Sequence, residues 1–151
     1  MAEQLSENKS MMESIRHAID DLNMPSIAEC GGFMYLHDKL IDEKGCSYQM
    51  AGVIPAEVRY TGKLVRFGYM QLQEKQPVFM QSESIIKGHE FHYYDSTLNG
   101  DSCVAKKPTS SRQWECIHSS DNHFWGFPHL YYPSQPEFVE HFMEEVRKFE
   151  I

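Results

Sequence analysis

A chain of 151 residues with 41% hydrophobic and 13% aromatic side chains is long enough to bury one substantial core, and a single domain is expected over residues 1–151. Its 22 acidic residues against 14 scattered Lys and Arg give a net charge of −8, which excludes a nucleic-acid-binding surface. No apolar run approaches the roughly 20 residues of a membrane span, and Met1 to Ser10 is polar rather than a secretory signal, so a cytoplasmic protein without a membrane partner is expected.

From the N-terminus, Met11, Met12, Ile15, Ala18, Ile19 and Leu22 return at helical spacing and predict an amphipathic helix over residues 7–22, with Asn23 as its stop. Residues 25–29 then read as a buried strand and residues 32–40 as a helix leaving it. Between them stands Cys30-Gly31-Gly32, the pattern of a nucleophile elbow. A tight strand-to-helix turn lifts the sulfur clear of the sheet, the glycines let a substrate approach the backbone, and the helix N-terminus is expected to favour thiolate over thiol. Equally, a cysteine ending an apolar strand can be an inert core residue.

Downstream, β-rich segments are predicted at residues 53–60, 65–73, 79–80, 89–94 and 102–105, with Asn99-Gly100 as a hairpin turn. Residues 106–113 are polar and loop-like. A strand near residues 114–118, a turn at 119–122 and a strand carrying His129 follow. Residues 136–149 close the chain as a helix: Ser134 or Gln135 lies near its cap, Pro136 starts its first turn, and Phe138, Val139, Phe142, Met143 and Val146 form its apolar face.

The remaining cysteines, Cys46, Cys103 and Cys116, form no C-x-x-C pair with each other or with Cys30, so all four are read as reduced thiols and no zinc site is expected. His89-Glu90-Phe91-His92 invites a metal reading. On a strand, however, Glu90 and His92 share one face and His89 and Phe91 the other, so the two histidines cannot hold one ion. Their simplest role is structural. No G-x-x-x-x-G-K-[ST] phosphate loop occurs.

Four separated words, Ala28-Glu29-Cys30-Gly31-Gly32-Phe33-Met34-Tyr35-Leu36, Gly68-Tyr69, Gly88-His89-Glu90-Phe91-His92-Tyr93 and Pro128-His129-Leu130-Tyr131-Tyr132, resemble in order and spacing the C-terminal glutaminase domain of the cobyrinic acid a,c-diamide synthase family. The resemblance runs from about residue 5 to residue 149. It implies an α/β class I glutamine amidotransferase-like, flavodoxin-like three-layer sandwich, in which a Cys/His pair releases ammonia from glutamine. In the full family enzyme that ammonia amidates corrin carboxylates activated by an ATP-binding domain.

The resemblance also implies a shortened front. Family members place a strand and a Gly-Gly-Pro-Glu-like loop ahead of the first amphipathic helix, so the chain is expected to lack its first strand or strands and to be a fragment of a longer enzyme. ATP and Mg are then expected in an absent N-terminal synthetase domain and no cofactor in this one. Expected partners are glutamine, that domain and, as a candidate, a second copy in a homodimer.

For the chemistry, Cys30 is expected to attack the glutamine amide and His129 to carry its proton to the departing ammonia. The Gly31 N–H follows the nucleophile and is a candidate oxyanion donor. Arg66 is a candidate receiver of the glutamine α-carboxylate, with a solvated strand-face charge as the alternative. Many class I amidotransferases orient the histidine with a glutamate two residues on; here Tyr131 stands there, and Glu90 is a candidate substitute. Two function classes follow: a glutaminase domain with one activated thiol, or a non-catalytic remnant or interaction module with four ordinary thiols.

Overall fold

The computed structural model describes residues 1–149. The stretch expected as one helix over residues 7–22 folds as α2 (Lys9–Arg16) followed by a wider π-type turn at His17–Asp21, and a separate short helix, α1 (Ala2–Glu7), stands ahead of it. The break comes at Asn8, whose side chain accepts the Met11 N–H at 3.2 Å and so caps α2 instead of letting one helix run through. Met12 and Ile19 are buried as the periodicity predicts, whereas Met11 and Leu22 are exposed. Asn23 stops the segment at φ +53.

β1 (Ser26–Glu29) leads into a short α3 (Gly31–Tyr35). The helix expected to reach residue 40 ends there, because the next residues pair as β2 (His37–Ile41), antiparallel to β3 (Ser47–Gln49) and parallel to β4 (Ile54–Tyr60). A pairing with a distant strand overrides local helix preference, and the Lys39–Glu57 ion pair at 3.3 Å spans it.

β5 (Arg66–Glu74), β6 (Ile86–His92), β7 (Tyr94–Ser96), β8 (Cys103–Lys106) and β9 (Gln113–Cys116) follow. No strand forms at Phe79 and Met80. There the loop wraps the Glu74 carboxylate, which accepts the N–H groups of Val78, Phe79 and Met80 at 3.2, 3.1 and 2.9 Å, and Phe79 enters the core. Asn99-Gly100 is not a hairpin either, since β7 pairs with β4 while β8 pairs with β5; residues 97–102 carry the chain between sheets. The polar interval closes the β8/β9 hairpin, with the Lys107 N–H bonded to the Arg112 carbonyl at 3.0 Å.

At Ile117 the chain takes φ +74, a costly conformation for a β-branched residue, and turns out of the five-stranded sheet into β10 (His118–Ser119). Gly100 makes room for it: a Cβ there would lie 2.3 Å from the Ile117 carbonyl carbon. β11 (His123–Gly126), the two-residue β12 (His129–Leu130), a 3-10 turn at Tyr132–Ser134 and α4 (Pro136–Lys148) complete the chain.

Among the described residues three sheets form, ordered β1-β11-β10, β12-β6-β5-β8-β9 and β3-β2-β4-β7. β11 divides the interior. Phe124 packs with Phe79 and Phe138 of α4 beneath the five-stranded sheet, while Trp125 and Phe127 join Phe33, Ile54 and Val58 on the other side. Alternate residues of one strand thus serve two cores, the condition for layers on both sides of a sheet. Of the apolar face read for α4, only Phe138 is fully buried.

Candidate active site

The parallel pair β1/β11 fixes the start of the site. Glu29 pairs with Gly126, and the Cys30 N–H donates to the Gly126 carbonyl at 2.9 Å, so the cysteine sits where β1 stops. Its backbone takes φ +46 and ψ −101, outside the regions an L-residue normally occupies, and its carbonyl accepts the Met34 N–H at 2.9 Å to open α3. Strain of this kind, on the order of 1–3 kcal/mol, persists where surrounding pairing enforces it.

The half-buried thiol does not follow the expected electrostatics. Burial pushes the Cys30 pKa up, the Gly31 N–H directed at the sulfur pulls it down, and the carboxylates of Glu90 and Glu29 add to the rise. A five-residue helix offers too little aligned dipole to reverse this. The balance favours thiol over thiolate. In front of Gly31 the space is open, with nothing within 4 Å of where a Cβ would stand. A cavity of about 500 Å³ lined by Gly31, Met34, Tyr35, Leu40, Tyr48 and Tyr94 lies beside it, and neither Cys30 nor His129 lines that cavity.

His129 is held by the β12/β6 pairing, which sets it opposite His89. The two rings stack with centroids 5.0 Å apart and planes 20° apart. Its Nδ1 lies 3.6 Å from Glu29 Oε2. The other oxygen of that carboxylate, Oε1, accepts the Tyr132 hydroxyl at 2.5 Å and the Leu130 N–H at 3.3 Å. Among the described residues no hydrogen bond joins the Cys30 sulfur to His129.

The alternation predicted for β6 is observed: Gly88, Glu90 and His92 are buried, and His89 and Phe91 are exposed. Glu90 therefore lies on the face opposite His89 and His129, and it does not orient His129. Its carboxylate accepts the Trp114 indole N–H at 3.2 Å, meets His92 Nε2 at 3.2 Å and has Arg66 Nε at 3.7 Å. His92 Nδ1 donates to the Tyr94 carbonyl at 2.7 Å, and the ring stacks on Phe127 at 4.0 Å, a structural histidine as read from the sequence.

Arg66 is mostly buried, beside Glu90 and 5.3 Å over the Trp114 ring, where Lys107 and Arg112 also gather at 5.7 and 5.9 Å. It is therefore not a solvated strand-face charge. Phe124, Trp125 and Phe127 are core, while Tyr131 is exposed. Glu29 and Tyr132 are the site residues that sequence reasoning passed over. The available signal was a carboxylate at the end of a short strand, directly ahead of the cysteine.

Residues 1–129 match the family model of a CobB/CobQ-like glutamine amidotransferase domain. The chain is 36% identical to a cobyrinate a,c-diamide synthase of Caldanaerobacter subterraneus subsp. tengcongensis, covering 98% of this chain and 33% of that protein. Proteins of the same description from Fusobacterium nucleatum subsp. nucleatum and Salmonella typhimurium are 36% and 32% identical, over 92% and 97% of this chain. The chain thus spans about a third of the length of the curated relatives it matches. A crystal structure of a glutamine amidotransferase superposes with TM-score 0.62 at 13% identity, covering 95% of this chain and 72% of that one, which establishes the α/β amidotransferase-like fold. No helix among the described residues is long and apolar enough to cross a membrane.

Proposed function

Since this chain belongs to the CobB/CobQ-like glutamine amidotransferase domain family, we propose that Cys30 and His129 release ammonia from glutamine. The observation that carries the reading is the backbone of Cys30, forced to φ +46 at the β1–α3 turn, with the Gly31 N–H next in the chain at the start of α3. In the reaction, the sulfur forms a bond to the amide carbon of glutamine, and His129 takes the thiol proton. The Gly31 N–H receives the developing oxyanion. On collapse the C–N bond breaks, and His129 returns the proton to the leaving ammonia. Water then cleaves the γ-glutamyl thioester to glutamate and free thiol. Because burial favours the thiol form of Cys30, attack calls for a base.

Arg66, with one side of its guanidinium engaged by Glu90, is the proposed receiver of the substrate α-carboxylate. The relatives' names and the third of their length matched here support a larger assembly: a further domain that uses ATP and Mg²⁺ to activate tetrapyrrole carboxylates, to which this domain supplies ammonia. A second reading, a non-catalytic module of the same fold, draws on the missing Cys30–His129 hydrogen bond among the described residues.

Covalent labelling with a chloroketone analogue of glutamine at neutral pH separates the two. Selective modification of Cys30, blocked by excess glutamine and slowed in His129→Ala, is the expected result. Equal, slow modification of every accessible thiol, unaffected by glutamine, overturns it in favour of the non-catalytic module.

A further inference from the structure

Resting on the amidotransferase reading above, we infer that Glu29 is the positioning residue for His129, and that Tyr132 and the Leu130 backbone hold Glu29 in place. The two oxygens of Glu29 are divided between two tasks. Oε1 is immobilised by two donors, the Tyr132 hydroxyl at 2.5 Å and the Leu130 N–H at 3.3 Å. Oε2 is left facing His129 Nδ1 at 3.6 Å. That separation is longer than a hydrogen bond, and catalytic contacts of this kind tighten when the site is loaded and the imidazole takes a proton.

Both donors come from the segment that carries the histidine. Leu130 and Tyr132 lie one and three residues beyond His129, so the carboxylate clamps the β12 segment and the imidazole together. Tyr132 remains a donor because burial and the neighbouring carboxylate push its pKa up. On its other side the imidazole lies against His89, which fixes the ring plane. With Nδ1 turned to Glu29, the tautomer carrying its proton on Nδ1 is favoured and Nε2 is free to act as the base, the arrangement by which a carboxylate serves a nucleophile–histidine pair. The competing carboxylate, Glu90, is on the opposite face of β6 and occupied by Trp114, His92 and Arg66. Tyr131, two residues past the histidine, is 60% exposed and supplies nothing.

Such an arrangement puts the nucleophile and the positioning carboxylate on adjacent residues. Glu29 is the last residue of β1 and Cys30 the turn that follows, so one strand end sets both the sulfur and, through its neighbour, the base.

The test is saturation kinetics of Cys30 alkylation by the chloroketone analogue on the chain as it stands, with Glu29→Gln, Tyr132→Phe and His129→Ala, singly and in combination. Glu29→Gln is expected to lower kinact by about 10- to 100-fold, below the 10²–10⁴ a base itself contributes, with KI for the analogue within about threefold. In the His129→Ala background the loss is expected to disappear, because the positioning effect runs through the imidazole; what remains is at most a small gain, since the Glu29 charge no longer raises the Cys30 thiol. Tyr132→Phe is expected to fall between the unmodified chain and Glu29→Gln. An unchanged kinact in Glu29→Gln, or an equal loss with and without His129, overturns the assignment while leaving the amidotransferase reading intact. Failure of the unmodified chain to label at Cys30 overturns that reading and the role of Glu29 with it.

Discussion

The imidazoles of His89 and His129 lie face to face across the β6/β12 pair, with centroids 5.0 Å apart and planes 20° apart. β12 contains only two residues, so this stack is a large part of what fixes His129. His89→Ala is expected to slow Cys30 labelling several-fold while changing stability by less than about 1 kcal/mol, as for an exposed side chain. His89→Phe retains a flat partner and restores the rate. Labelling kinetics beside thermal melts check both.

Gly88 and Gly31 give opposite answers to the same substitution. A Cβ at Gly88 would stand 2.6 Å from the His129 carbonyl oxygen and 3.2 Å from the Met70 sulfur, so alanine must push β12 off β6. Gly88→Ala is expected to cost about 1–3 kcal/mol and to abolish labelling of Cys30. At Gly31 the space is empty and the residue is helical, so Gly31→Ala holds or raises the melting temperature by removing chain entropy. Denaturant titration of the two variants decides the signs.

His37 is fully buried between the Phe33 carbonyl at 2.8 Å and the Ser96 hydroxyl at 2.7 Å, and burial lowers its pKa from 6.5 to about 4. The unfolded chain therefore binds the proton first as pH falls. Its contribution is complete above about pH 6.5 and is lost as pH drops toward 4, at most about 3 kcal/mol. His37→Gln is expected to flatten that part of the stability curve, measured as unfolding free energy between pH 7 and 4.

The four thiols differ by burial. Cys46 is exposed, Cys30 half-buried, and Cys103 and Cys116 face each other across β8 and β9 inside the core, with burial raising both and Cys116 reaching about 12. A small neutral maleimide is expected to modify Cys46 first, Cys30 next, and the core pair only with global unfolding. Peptide mapping against time gives the order; early modification of Cys103 would show that β8/β9 opens locally.

The elbow at Cys30 and the two faces of β6 were legible because each depends on neighbours in the chain. An apolar strand followed by Cys-Gly-Gly has few local solutions, and period-two alternation separates Glu90 and His92 from His89 whatever the strand pairs with. The same reasoning failed at His37–Ile41, which local pattern makes helical and β3 and β4 make a strand, and at Phe79, whose loop is organised by the Glu74 carboxylate rather than by sheet pairing.

What the sequence determined by itself was the family, the likeness of fold and the residue types able to carry the chemistry, since motif order and alternation are written along the chain. Tertiary structure decided which groups meet. Glu29 and Tyr132 are 103 positions apart, and nothing local joins them; the parallel β1/β11 pair and the β12/β6 pair bring them to 2.5 Å. It also decided the state of the Cys30 thiol, because burial is a property of the packed molecule and here outweighs the single N–H that the turn supplies.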